Sequence, residues 1–318
     1  MQTIKLMPAV FEPELVPFLA VIWKNAADPD LEVDFTRAHF YIPMAVTALL
    51  ARIDYARSNG GTVKLIGLRE CKNFHYLQRI DFFNQLGIEL EEDFVRHAPG
   101  TAFVPLREIP LGLVTIKNDE MATELAACMA GAEAGDVFQL SQYALGEVIA
   151  NVKQHAERPG FACAQRFQRD EMSRIGIADC GVGLRESFRR TGSPKFRQEM
   201  NDLQVLELAM APYGSSKAHV TASLYGETAN KGLGLTMTRF MAAETYGHFF
   251  LSSGKAWWYR DGLAAPIFGE FADGISVQGT VVSAAFQRSQ VTSYAELRQQ
   301  AWNSLGLTLP AEQSTLFT

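Results

Sequence analysis

The sequence predicts an α/β protein of two units, on three observations: a chain of 318 residues that is 47% hydrophobic, an early alternation of helical and strand periodicity, and a proline-bearing break near its first third. That length suits two domains of ordinary size, each able to bury a core. Residues 44 to 57 place Val46, Leu49, Leu50 and Ile53 on one helical face, and Asn59-Gly60-Gly61 ends the helix. A strand is expected over 62 to 68, apolar at Val63, Leu65 and Ile66, then a helix over 74 to 86 that stops at Gly87. Helix, strand, helix is the order of a sheet covered by helices.

Pro99-Gly100, Pro105 and Pro110 argue against a helix between 98 and 118, so the domain boundary falls there, with 1 to 105 as the first unit and 106 to 118 as a linker. Beyond it the periodicity predicts helices over 119 to 133 and 137 to 157 and strands over 160 to 168 and 172 to 179. After a long polar interval come a helix over 233 to 246 and strands near 248 to 252, 256 to 260 and 276 to 286. The second unit is thus 119 to 290, and 291 to 318 is a C-terminal helix, over 292 to 304, with its tail.

Composition narrows the function. No stretch approaches the roughly 18 apolar residues of a membrane span, and Glu12, Glu14 and Pro17 break the apolar start, so a cytoplasmic protein without a membrane partner is expected. With 29 Lys plus Arg against 35 Asp plus Glu, direct binding of nucleic acid through overall charge is disfavoured. Cys71, Cys128, Cys163 and Cys180 form no C-x-x-C pair and read as reduced thiols.

Three segments carry the chemistry. In residues 145 to 155, Leu145, Val148, Ile149 and Val152 form a core stripe, while Glu147, Asn151 and His155, each four apart, stack as a polar ridge on the opposite side. A carboxylate and an amide one turn apart can serve a hydrated metal and an attacking nucleophile together; a plain solvated face has the same pattern. In residues 174 to 184, Ile175, Ile177 and Asp179 point one way along a strand, aiming a carboxylate toward the core, where it needs a donor such as an exocyclic amine. Gly181 and Gly183 permit a tight turn after it, although an Asp-x-Gly turn with a locally bonded side chain would look alike. In residues 230 to 239, Lys231, Gly232 and Gly234 precede an apolar-periodic helix, whose exposed N–H groups suit phosphate oxygens or simply mark a cap.

In this order the segments resemble the N box and the two glycine boxes of the GHKL ATP-binding superfamily, over about residues 119 to 287. DNA gyrase, the ninety-kilodalton chaperone, mismatch-repair ATPases, sensor histidine kinases and anti-sigma serine kinases share that fold. The resemblance implies a two-layer α/β sandwich that binds ATP and magnesium. It implies that Asp179 accepts the adenine amino group, that Thr280, after Gly279, completes a water-mediated pocket, and that Asn151 holds magnesium. Glu147 matches the general base, Lys231, Gly232 and Gly234 the phosphate-lining turn, and Gly181 and Gly183 the hinges of a lid over 184 to 230. Within that lid Ser216 and Lys217 resemble an element that reaches the terminal phosphate, and Arg185, Arg189, Arg190, Lys195 and Arg197 make its first part basic.

His39-Phe40-Tyr41-Ile42-Pro43 lacks the spacing and acidic neighbour of a phosphoacceptor helix, so histidine autophosphorylation is disfavoured, and His155 fits the anti-sigma-kinase form of the N box. The strand and helix of the first unit resemble STAS domains, with no hydroxyl in residues 69 to 73 to phosphorylate. An ATPase acting as a nucleotide-driven switch leads, ahead of an anti-sigma-type serine/threonine kinase and a non-enzymatic ATP-sensing adaptor. A protein partner is expected, and a homodimer is left open.

Overall fold

The computed structural model describes residues 1–96, 103–111, 116–214 and 233–306. The chain opens with strands β1 (Gln2–Lys5) and β2 (Ala9–Val10), helix α1 (Leu15–Trp23), strands β3 (Leu31–Asp34) and β4 (Phe40–Tyr41), helix α2 (Pro43–Ser58) and strand β5 (Val63–Ile66). β1, β3 and β5 pair in parallel, and β2 pairs with β4. The helix expected over 74 to 86 is two, α3 (Phe74–Arg79) and α4 (Phe82–Gln85), because Asp81 between them takes a left-handed φ of 61°. That conformation cannot continue a helix.

Strand β6 (Phe103–Ile109) corrects the expected linker over 106 to 118. It pairs with β7 (Gly160–Arg166) and ends a seven-stranded antiparallel sheet. Pro105 is accommodated because the register shifts between Val104 and Arg107 and because the strand lies at the edge, where a missing N–H leaves no partner wanting. Helix α5 (Ile116–Ala130) accordingly begins earlier than expected. Helix α6 (Asp136–His155) and strand β8 (Met172–Asp179) follow, then helices α7 (Gly183–Thr191), α8 (Asp202–Met210) and α9 (Gly234–Glu244). Strands β9 (His248–Gly254), β10 (Ala256–Asp261), β11 (Ile267–Glu270) and β12 (Val277–Gln287) and helix α10 (Tyr294–Ser304) complete the described chain. The sheet order is β11-β10-β9-β12-β8-β7-β6.

The class is mixed α/β as expected, and the seven-stranded sheet is covered on both faces. On one face Ile175, Ile177, Phe249 and Val282 join Leu145, Val148 and Ile149 of α6 and Met237 and Met241 of α9 in one apolar core. On the other, Phe161, Cys163, Ala178, Phe250 and Val281 join Met44, Leu49 and Ile53 in a second. The reason is local: these strands are apolar at successive residues, so neither face can be left to water. The N-terminal segment supplies the second cover. Glu12 Oε1 accepts from Arg174 Nε at 2.5 Å, and Tyr76 Oη donates to Gln165 Oε1 at 3.0 Å.

The closest approach is backbone on backbone. A Cβ at Gly176 of β8 would lie 2.3 Å from Met44 Cα, so glycine lets the first turn of α2 rest on the strand. Gly176→Ala, which ordinarily stabilises a strand slightly, should here destabilise the protein by about 1–3 kcal/mol in urea denaturation.

Candidate functional site

A cleft opens where α6, the end of β8, the starts of α7 and α9, and β12 meet; Asn151, His155, Asp179, Gly183, Gly234 and Thr280 all line it. Ile177, Val282, Leu184 and Phe188 give it apolar walls. The ridge read from α6 is therefore not a solvated face along its length. The stripe Leu145, Val148, Ile149 and Val152 is buried as the spacing predicts, but Val148 and Val152 line the cleft beside Asn151 and His155, so stripe and ridge adjoin rather than oppose each other.

Asp179 ends β8 with 2% of its surface exposed. Its Oδ1 accepts the Gly181 amide at 2.8 Å. Burial pushes its pKa up to about 7, against the pull of the Gly181 and Thr280 amides, which favour the charged form. The Asp-x-Gly turn and the inward carboxylate are thus both present: one oxygen closes the turn while the side chain lines the cleft.

Glycine is required around this acid. Gly279 has φ 80°, and a Cβ there would fall 2.2 Å from the Asp179 carbonyl oxygen and 2.6 Å from Oδ1. A Cβ at Gly181 would fall 1.9 Å from the carbonyl of Ala156, just past α6. Gly183 has φ 72° and opens α7. The Asp179–Gly183 turn is held from two sides, since Val182 N–H donates to the Ala156 carbonyl at 3.0 Å and Gln278 Nε2 donates to the Gly181 carbonyl. Ser253 at the end of β9 donates to the Gly279 carbonyl at 2.7 Å and accepts the Leu184 amide at 3.0 Å, tying α7 to β12. Sequence reasoning passed over Ser253; its signal was the Ser252-Ser253 pair closing an otherwise apolar strand.

Glu147 sits one layer behind the wall. A Cβ at Gly234, which lines the cleft, would fall 2.3 Å from Glu147 Oε2. That oxygen is buried and has no hydrogen-bond partner among the described residues. Burial pushes the Glu147 pKa up to about 7. An unpaired buried carboxylate oxygen carries a desolvation cost, which is why the neutral form is favoured there.

Of the expected lid, α7, α8 and the chain to Gly214 are described; Ser216, Lys217, Lys231 and Gly232 lie outside the described residues. The basic residues of its first part find partners within the chain. Arg185 pairs with Asp202 at 2.6 Å, Arg189 and Arg190 each with Glu186 at 2.6 Å, and Arg190 also with Glu157. Lys195 donates to the Tyr213 carbonyl at 3.0 Å and Arg197 to that of Pro194 at 2.7 Å. His155 Nδ1 lies 3.2 Å from Ser187 Oγ.

The residues present fit an adenine nucleotide: a buried acceptor, apolar walls for a flat base, and a helix start at Gly234. Among the described residues no three His, Cys, Asp or Glu side chains gather as a metal site, so a magnesium ion would depend on Asn151 together with phosphate and water oxygens. Compared with protein-family models, curated proteins and solved structures, the chain matches none.

Gly279→Ala should lower stability by about 2–4 kcal/mol, from the left-handed backbone and the collision with Asp179, as a fall in melting temperature. Gly274→Ala, at φ 80° with nothing within 4 Å, carries only the backbone part and should lose clearly less.

Proposed function

We propose that the protein is an ATP-binding, magnesium-dependent ATPase that acts as a nucleotide-driven regulatory switch. The observation that carries the reading is the buried Asp179 carboxylate lining a cleft shared with Asn151, Gly183, Gly234 and Thr280. In this reading Asp179 accepts the adenine amino group, and Ile177 and Val282 flank the base. Thr280 shares the water beside it, and Asn151 holds magnesium. Magnesium, when bound, neutralises phosphate charge. The first turn of α9, with Lys231 and Gly232 before it and Ser216 and Lys217 from the lid, would cradle the phosphates. Glu147 would be the general base the resemblance implies; set behind Gly234 rather than on the cleft wall, it would reach the attacking water's proton only past that turn, and its pKa, pushed up to about 7, suits it to accept and release a proton near neutrality.

Incubation with γ-labelled ATP tests the reaction. Label released as phosphate supports the ATPase; label on a serine or threonine of a protein supports the anti-sigma-type kinase; label remaining in bound ATP leaves an adaptor. Glu147→Gln should retain nucleotide and lose turnover about 10²-fold or more; unchanged turnover would move the base elsewhere.

Asp179→Asn should separate binding from stability. It removes the acceptor, so adenine-nucleotide affinity measured by calorimetry should fall about 10²-fold or more. The folded-state pKa of Asp179 lies above its ordinary 3.8, so the native protein holds this proton more tightly than the unfolded chain. Stability is therefore lost as pH rises from about 4 to about 7, and the asparagine variant, free of that loss, should melt no lower than the wild type at pH 8. For the same reason adenine-nucleotide affinity of the wild type should decline as pH falls below about 7, approaching tenfold per unit, because the protonated acid accepts poorly. A flat profile from pH 5.5 to 8 (an assay window of about that range) would count against Asp179 as the acceptor.

A further inference from the structure

β8 divides its side chains between two neighbours. Ile175 and Ile177 belong to the core beneath α6, and Asp179 continues that series into the cleft. Gly176 and Ala178, with Cys180 just past the strand's end, face the other way: Gly176 meets Met44, Ala178 lies in the N-terminal core, and Cys180 Sγ donates to Asp54 Oδ2 at 3.2 Å. Both Met44 and Asp54 belong to α2. Ten residues of helix, roughly 15 Å, span about the same length as four residues of strand, roughly 13 Å, so α2 runs beside β8 for its last two turns of pleat. The thiol is neutral and able to donate, since burial and the neighbouring Asp54 push its pKa up to about 12. Arg158, in the turn after α6, pulls the same thiol's pKa down through its charge, and its Nη1 is buried without a hydrogen-bond partner among the described residues.

We infer that Asp54 is a positioning residue for the cleft: by holding Cys180 on the α2 side of β8 it fixes the strand's last pleat and so aims Asp179 at the base. The inference rests on the nucleotide reading and adds to it a route by which the N-terminal segment sets nucleotide affinity. Adjacent strand residues point to opposite faces, so a rotation that released Cys180 would carry Asp179 with it. The effect is confined to the base end of the cleft, because Asn151 and Gly234 are carried by α6 and α9.

The test measures the affinity of the full chain for ADP and for inorganic tripolyphosphate, which lacks a base, in wild type, Asp54→Ala, Asp54→Asn, Cys180→Ser and Cys180→Ala. Asp54→Ala should weaken ADP about tenfold and leave tripolyphosphate unchanged. Asp54→Asn, which keeps an acceptor, and Cys180→Ser, which keeps a donor, should stay near wild type, whereas Cys180→Ala, which removes the donor, should reproduce the tenfold loss for ADP alone and decides the question if Asp54→Ala does not fold; a folded Cys180→Ala of wild-type ADP affinity overturns the inference. Wild type that binds ADP together with a folded Asp54→Ala of equal ADP affinity overturns the inference alone. Parallel loss of both ligands also overturns it, as a general loosening would produce that. Wild type that binds no ADP overturns the nucleotide reading and this inference with it.

Discussion

Burial of one strand on both faces is the constraint from which the rest of this structure follows. β8 lies inside the seven-stranded sheet, between β12 and β7, and has α6 on one side and α2 on the other. A strand in that position has no solvent face, so its polar end must be satisfied by the protein or by something the protein binds. The Gly181 amide satisfies part of Asp179. The carboxylate still carries a pKa pushed up to about 7, which means burial outweighs the amides that favour its charge. Keeping that acid charged costs the fold stability, and the acid lines the cleft.

The same constraint explains why the two expected units are not separable layers. The N-terminal segment contributes most of the residues of the second core, but Phe161, Cys163, Phe250 and Val281 of the sheet are equally part of it. β6, expected to be a linker, is instead the sheet's edge, and the amide of its Leu106 bonds the Ile80 carbonyl of the first unit at 2.8 Å. Glu12, Arg174 and the buried His248 form a polar junction beneath: His248 Nδ1 lies 3.4 Å from Glu12 Oε1, and burial drives the His248 pKa down to about 4, keeping the ring neutral.

Long periodic elements were legible. α2, α6, α9, β8, β9, β10 and β12 lie within a few residues of the spans their periodicity predicts. The misses have physical causes. β1 to β4 have two to four residues each and depend on pairing with distant segments. α1 is apolar throughout and contains Pro17, so it shows no amphipathic period. α7 and α8 were absorbed into the lid, although both carried local signals: Glu186 three and four residues before Arg189 and Arg190, and the reciprocal cap between Asn201 and Gln204. At the site, spacing gave only the face each residue takes within its own segment; that Asn151, Asp179, Gly183, Gly234 and Thr280 share one cleft was what the resemblance implied. The set-back of Glu147 behind Gly234 and the Ser253 tie were not legible, because each is a contact between segments far apart in the chain.

The shared second core also limits what can be done with this chain by recombination. A fragment beginning beyond β6 would expose Phe161, Phe250 and Val281 along one side of an unfinished sheet, an invitation to self-association rather than a free-standing domain. A change of volume on either side of this core is felt by the other, so the first segment and the sheet have to be altered together.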